Sequence, residues 1–247
     1  MNTETKELIL IMARITPLFA GVGISPFSRI PLMVRLVLVL MFALAISQLI
    51  DVSISPLIPT NRPVLLALVN ELMFGLVVLL VLQAALSSVL FWGRVVDMQV
   101  GFGAAAILNP ATHSQDSMLG TMVSLAVVTV FFLSGVHHLL LQFMFNSFQV
   151  FPLGGTVLNL SAHKLAMFFG LEYLTAMLLF APVMMVIWTL DVMVGFLSKT
   201  MPQMNIYFVT LPLKIAVGIS VLAVSVNYSK ALLDTLFAQM LTFLNGL

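Results

Sequence analysis

Six apolar stretches dominate this chain, near residues 8–24, 30–50, 64–92, 118–145, 165–197 and 206–226, and a shorter amphipathic one follows at 230–244. Most reach the roughly 20 residues that a helix needs to cross a bilayer core. The breaks between them carry turn chemistry: Ser25-Pro26, then Ser55-Pro56, Pro59 and Arg62-Pro63, then Asn109-Pro110 through Ser117, and finally Phe151-Pro152-Leu153-Gly154-Gly155 and Met201-Pro202-Gln203. Backbone groups without access to water must pair internally, so the pattern predicts helical hairpins joined by short turns.

Composition narrows the class further. A soluble domain carries about 25% charged residues, whereas this chain has 8% and is 61% hydrophobic over 247 residues. So few charges cannot cover a sphere of this size, which excludes a soluble monomer. A membrane protein or a subunit buried in a large assembly remains. The chain has no cysteine, so disulfides, thiolate metal sites and cysteine nucleophiles are excluded. The net charge of +1, with no long basic run, gives nucleic acid nothing to bind. Glu4 and Glu7 outnumber Lys6 ahead of the first apolar run, and Arg14 interrupts that run, so the first segment is expected to be retained and not cleaved as a signal.

Two features depart from a simple multispan bundle. Residues 64–108 are almost continuously apolar, and as one helix they would run about 65 Å, roughly twice a bilayer core. Gly93, Gly101 and Gly103 offer places to bend, so the expectation is a long helix followed by a re-entrant or irregular segment. Charges also sit inside or at the shoulders of the apolar stretches: Arg14, Arg35, Glu71, Arg94, Asp97, Glu172, Asp191 and Lys214. An isolated charge at the bilayer centre costs at least a few kcal/mol. These residues therefore call for partner contacts, a wet cavity, or helices that lie outside lipid.

Each candidate has a plain reading beside the functional one. Arg94 and Asp97 are three apart, share a helical face and are placed to pair, either as a neutralised structural pair at a subunit interface or in transport. Glu71 stands alone in an apolar helix; it reads as a proton carrier or as a cap on another subunit's arginine or backbone. His137 and His138 are adjacent, about 100° apart on a helix, which is the wrong spacing for two zinc ligands. There is no phosphate loop, nucleophile elbow or paired-carboxylate pocket, so neither an enzyme nor a cofactor is expected. The 17 methionines fill irregular cores, and would also suit a deformable seal. The segment Gly101, Phe102, Gly103, Ala104, Ala105, Ala106, Ile107, Leu108, Asn109 and Pro110, continuing to Gly120, combines small residues with glycine. It reads as a re-entrant loop, a mobile gate or a plain interhelical turn.

An ordered series of motifs runs the length of the chain. It comprises Arg14-x-x-Pro17, Pro31-x-x-x-Arg35, Glu71-x-x-x-Gly75 and Gly93-x-x-x-Asp97-x-Gln99-x-Gly101-Phe102, leading to Asn109-Pro110. Next come Gly135-x-His137-His138, Ser147-Phe148-x-x-x-Pro152-x-Gly154, Ala181-Pro182 and Asp191-x-x-x-Gly195. The series ends with Pro202-Gln203-Met204-Asn205 and Pro212-Leu213-Lys214-x-x-x-Gly218. In this order the chain resembles the FliR/SctT family of type III export-gate subunits, with the flagellar branch favoured over the virulence branch.

The resemblance implies an all-α membrane-associated protein of helical hairpins with a re-entrant, plug-like loop, assembled in a helical multi-subunit gate. It implies a FliP-like part over residues 1–180, including the plug loop 101–120, and a FliQ-like hairpin over 181–247. It also implies several FliP-type and FliQ-type partners, an FlhB-type partner, unfolded flagellar proteins as cargo, and a place in the bacterial inner membrane at the flagellar basal body. Arg35, Glu71, Arg94, Asp97, Asp191 and Lys214 would then meet neighbouring subunits. Asn109 departs from the family, which more often has Asp before the proline, so a charged role at that position does not carry over. From the residues alone, a secondary transporter of a small solute is the alternative, since broken helices and intramembrane carboxylates suit it.

Overall fold

A computed structural model describes residues 3–20, 25–28, 30–49, 64–102, 118–154, 161–201 and 206–247. Among them lie seven helices: α1 (Thr3–Phe19), α2 (Leu32–Leu49), α3 (Val64–Val100), α4 (Met118–Leu133), α5 (Val136–Val150), α6 (Ala162–Thr200) and α7 (Ile206–Asn245). The protein is all-α, as the apolar periodicity predicts. Four helices, α2, α3, α6 and α7, are long and apolar enough to cross a membrane.

Three boundaries differ from the sequence reading, each for a local reason. The 118–145 stretch is not one helix. It breaks before Gly135, whose φ of +73° is open to glycine at little steric cost, and α4 and α5 meet there at a 64° bend. The 206–226 and 230–244 stretches are a single helix of 40 residues, because the polar residues between them, Asn227 to Lys230, are all compatible with a helix. Helix α3 continues through Gly93 and ends only at Gly101, where φ reaches +99°. At about 55–60 Å each, α3, α6 and α7 are roughly twice the thickness of a bilayer core.

The chain forms two compact units. One comprises Met1–Ala84, Phe131–Phe168 and Gln239–Leu247, the other Ala85–Val130 and Phe169–Ala238. The first has an aromatic core in which Phe19 lies 4.9 Å from Phe27 and 5.5 Å from Phe42, ring centre to ring centre. In the second, one face of α6 is buried through Ala176, Leu179, Phe180, Val183 and Ile187, a 3–4 residue stripe that carries the helix past Pro182. The helix hairpin of this unit is antiparallel, since Asp191 meets Lys214 while Ile187 lies beside Gly218. The outer face of α2 exposes Leu32, Met33, Leu36, Val37, Leu40, Met41 and Leu44. A contiguous apolar stripe of this kind belongs in lipid or against another protein.

Candidate functional site

Arg14 and Glu71, both fully buried, form the most enclosed ionic contact among the described residues. Arg14 faces inward because it shares a helical stripe with Leu10, Ile11 and Leu18. Its Nε donates to Glu71 Oε2 at 2.5 Å, Nη1 to the Ser147 carbonyl at 3.0 Å and Nη2 to the Phe151 carbonyl at 3.1 Å. The other Glu71 oxygen accepts the Gly154 N–H at 2.7 Å, where the chain turns through a φ of +77°. The guanidinium lies over the rings of Phe74 and Phe148, 4.9 and 4.4 Å from their centres. Arginine suits this place because its planar fork reaches three acceptors at once and stacks on aromatic faces. The Ser147 carbonyl is in the last turn of α5, so the positive charge also complements that helix end.

Three sequence motifs converge in this knot. Gly75 lies against Pro17: a Cβ there would come 2.8 Å from Pro17 Cγ and would strike the Arg14 carbonyl. Arg14-x-x-Pro17 and Glu71-x-x-x-Gly75 are thus the two halves of one helix crossing, and Ser147 to Gly154 closes over it. The sequence alone leaves Glu71 as a proton carrier or as a cap on another subunit's arginine or backbone, and the family resemblance implies a contact with a neighbouring subunit. Its partner is in the same chain, and both carboxylate oxygens are engaged.

Arg94 and Asp97 do not form the pair their spacing suggested. Arg94 is exposed, while Asp97 is buried, and they are not joined among the salt bridges of the described residues. Asp97 turns instead to the start of α4, where its Oδ1 accepts the Leu119 N–H at 3.0 Å. Its backbone carbonyl accepts the N–H groups of Gly101 and Phe102 at 3.0 and 3.1 Å. Gly93, one turn earlier, packs so tightly on Gly120 that a Cβ would come 2.6 Å from the Gly120 Cα. Gly101 and Phe102 end α3, whereas Gly103, Ala104, Ala105, Ala106, Ile107, Leu108, Asn109 and Pro110 lie outside the described residues.

Asp191 and Lys214, which nothing in their spacing connects, form a salt bridge in the α6–α7 hairpin. Arg35 donates from Nη1 to the Ala20 carbonyl at 2.5 Å, and its buried Nε has no hydrogen-bond partner. Glu172 is fully buried with neither oxygen hydrogen-bonded. The His137 and His138 rings lie 4.0 Å apart. Among the described residues no group of three or more His, Cys, Asp or Glu is placed to hold a metal ion.

A family model described as bacterial export proteins, family 1, matches residues 6–240. The chain belongs to that family. The match spans both the knot and the Asp97 contact, and it agrees with the FliR/SctT resemblance read from the motifs. The chain is similar to flagellar biosynthetic protein FliR of Bacillus subtilis, 25% identical over 97% of this chain and 93% of the relative. It is also similar to the protein of that name from Escherichia coli, 26% identical over 81% and 80%. The Yop proteins translocation protein T of Yersinia pestis is 26% identical over 66% of this chain and 64% of its own length. Membership of an export family whose members include flagellar and Yop-translocation proteins makes this chain a component of a type III export apparatus.

Proposed function

We propose that this chain is a core subunit of the flagellar type III export gate of the bacterial inner membrane, forming and closing the pore through which unfolded flagellar subunits leave. The observation that carries the reading is the family match over residues 6–240, with near full-length similarity to a flagellar relative. The geometry supports it. Helices near twice the bilayer thickness extend beyond the hydrocarbon region, and exposed apolar faces such as that of α2 offer surface to neighbours. Arg35, Arg94, Asp191 and Lys214 keep some exposure and are available to partner subunits, whereas Glu71 and Asp97 act inside the chain.

Residues 1–180 serve as a FliP-like part and 181–247 as a FliQ-like hairpin, which contains the Asp191–Lys214 contact. Partners are several FliP-type and FliQ-type subunits and an FlhB-type subunit. The segment 101–110 with its continuation to 120 is the plug. Small-solute transport has no such support, since the relatives are flagellar biosynthetic and Yop-translocation proteins.

Native mass spectrometry of the chain, co-expressed with its neighbouring genes and purified in mild detergent, tests the assembly. The expected species holds one copy of this chain with many copies of two small helical partners. A lone monomer or simple homodimer overturns the reading in favour of the transporter.

A further inference from the structure

We infer that Asp97 is the positioning residue that ties the end of α3 to the start of α4 and so sets the separation of the two feet of the 103–117 segment. The first N–H groups of a helix have no partner within it. A carboxylate is the side chain best suited to satisfy one, because its charge also complements the positive helix end. Asp97 meets the Leu119 N–H in this way from a different helix, 22 positions earlier in sequence. The same residue accepts, through its carbonyl, the N–H groups of Gly101 and Phe102 that terminate α3. Those carbonyl bonds belong to the backbone and end α3 whatever residue stands at 97; the carboxylate is what joins that end to α4.

A second observation at the same crossing is independent of that hydrogen bond. The helices approach at Gly93 and Gly120, where no Cβ fits, so the carboxylate has a fixed, short distance to span. Its burial to 4% exposure keeps water from competing for the Leu119 N–H. Asp97 is thus assigned to the geometry within its own chain and not to a subunit contact. Its bearing on pore closure rests on the gate reading above.

The cysteine-free chain allows a direct test. Met98 and Met122, 76% and 61% exposed and on either side of the contact, become the only thiols as Met98→Cys and Met122→Cys. Spin labels on the purified full-length chain are expected to give one narrow distance distribution. Asp97→Ala should broaden it, and Asp97→Asn, which keeps an acceptor oxygen, should restore it. A distribution in Asp97→Ala as narrow as in the parent overturns the assignment. Hydrogen exchange covers the case in which Asp97→Ala does not fold. The Leu119 amide of the parent chain is expected to be protected like the mid-helix amides of α4, and a fast-exchanging Leu119 amide overturns the assignment. Ion leak through the assembled complex separates this inference from the gate reading. If deleting residues 104–113 causes no leak the gate reading fails, while the distance measurement still decides the role of Asp97.

Discussion

Arg14–Glu71 in the first compact unit and Lys214–Asp191 in the second are both lysine- or arginine-to-carboxylate pairs, yet they sit in opposite surroundings. The first is sealed at 0% exposure for both side chains, while the second retains 21% on Lys214 and 44% on Asp191. The buried pair comes with a full set of partners: two carbonyls for the guanidinium, an amide for the carboxylate, and two phenylalanine rings against the guanidinium. The exposed pair rests on the ionic contact, on a helix hairpin whose packing is supplied by apolar neighbours. Desolvation makes the difference. A charge already taken out of water cannot recover its hydration when its partner is removed, whereas a half-exposed one can.

The largest effect is therefore expected at the knot. Arg14→Ala or Glu71→Ala should each lower stability by about 3–5 kcal/mol, read as a loss of thermal stability of the purified chain. Arg14→Ala combined with Glu71→Ala should cost less than the two single changes added together, by about 0.5–3 kcal/mol, because no lone charge is left inside. Strict additivity would show that the two groups do not act as a pair. At the other end of the scale, Asp191→Ala or Lys214→Ala should cost about 0–1 kcal/mol in the isolated chain and less at high salt. A cost at the exposed pair matching that at the knot would break the comparison. A cost that appears only in the assembled complex would sharpen it, by placing a partner subunit over the hairpin.

How much of this was legible beforehand depended on the range of each interaction. The long apolar runs yielded the helices, since hydrophobic length and Pro/Gly breaks are local properties; the hinge at Gly135 escaped because a single glycine in an apolar run does not announce a positive φ. The residues of the knot stood out individually as misplaced charges, and three of the quoted motifs turn out to meet there. Their pairing was hidden, because Arg14 and Glu71 are 57 positions apart and nothing in their spacing links them. The Arg94–Asp97 spacing pointed the wrong way for the same reason. Positions i and i+3 share a face, but the α4 helix end offers Asp97 a buried N–H that an exposed arginine cannot match. Asp191 and Lys214 are each conspicuous in the sequence but not linked by it, since the register of a hairpin is fixed by packing and not by the sequence of either helix alone.

Opposite charges also finish two helix ends, each with the sign that the helix dipole favours. Arg14 lies on carbonyls at the end of α5, and Asp97 on an amide at the start of α4. Charges in this apolar chain thus place its irregular segments. The central proposal, that the chain closes a pore, is tested most directly by ion conductance across membranes containing the assembled complex, with and without residues 104–113. The account predicts that the shortened chain still assembles and that conductance rises. Unchanged conductance in an intact complex would contradict it.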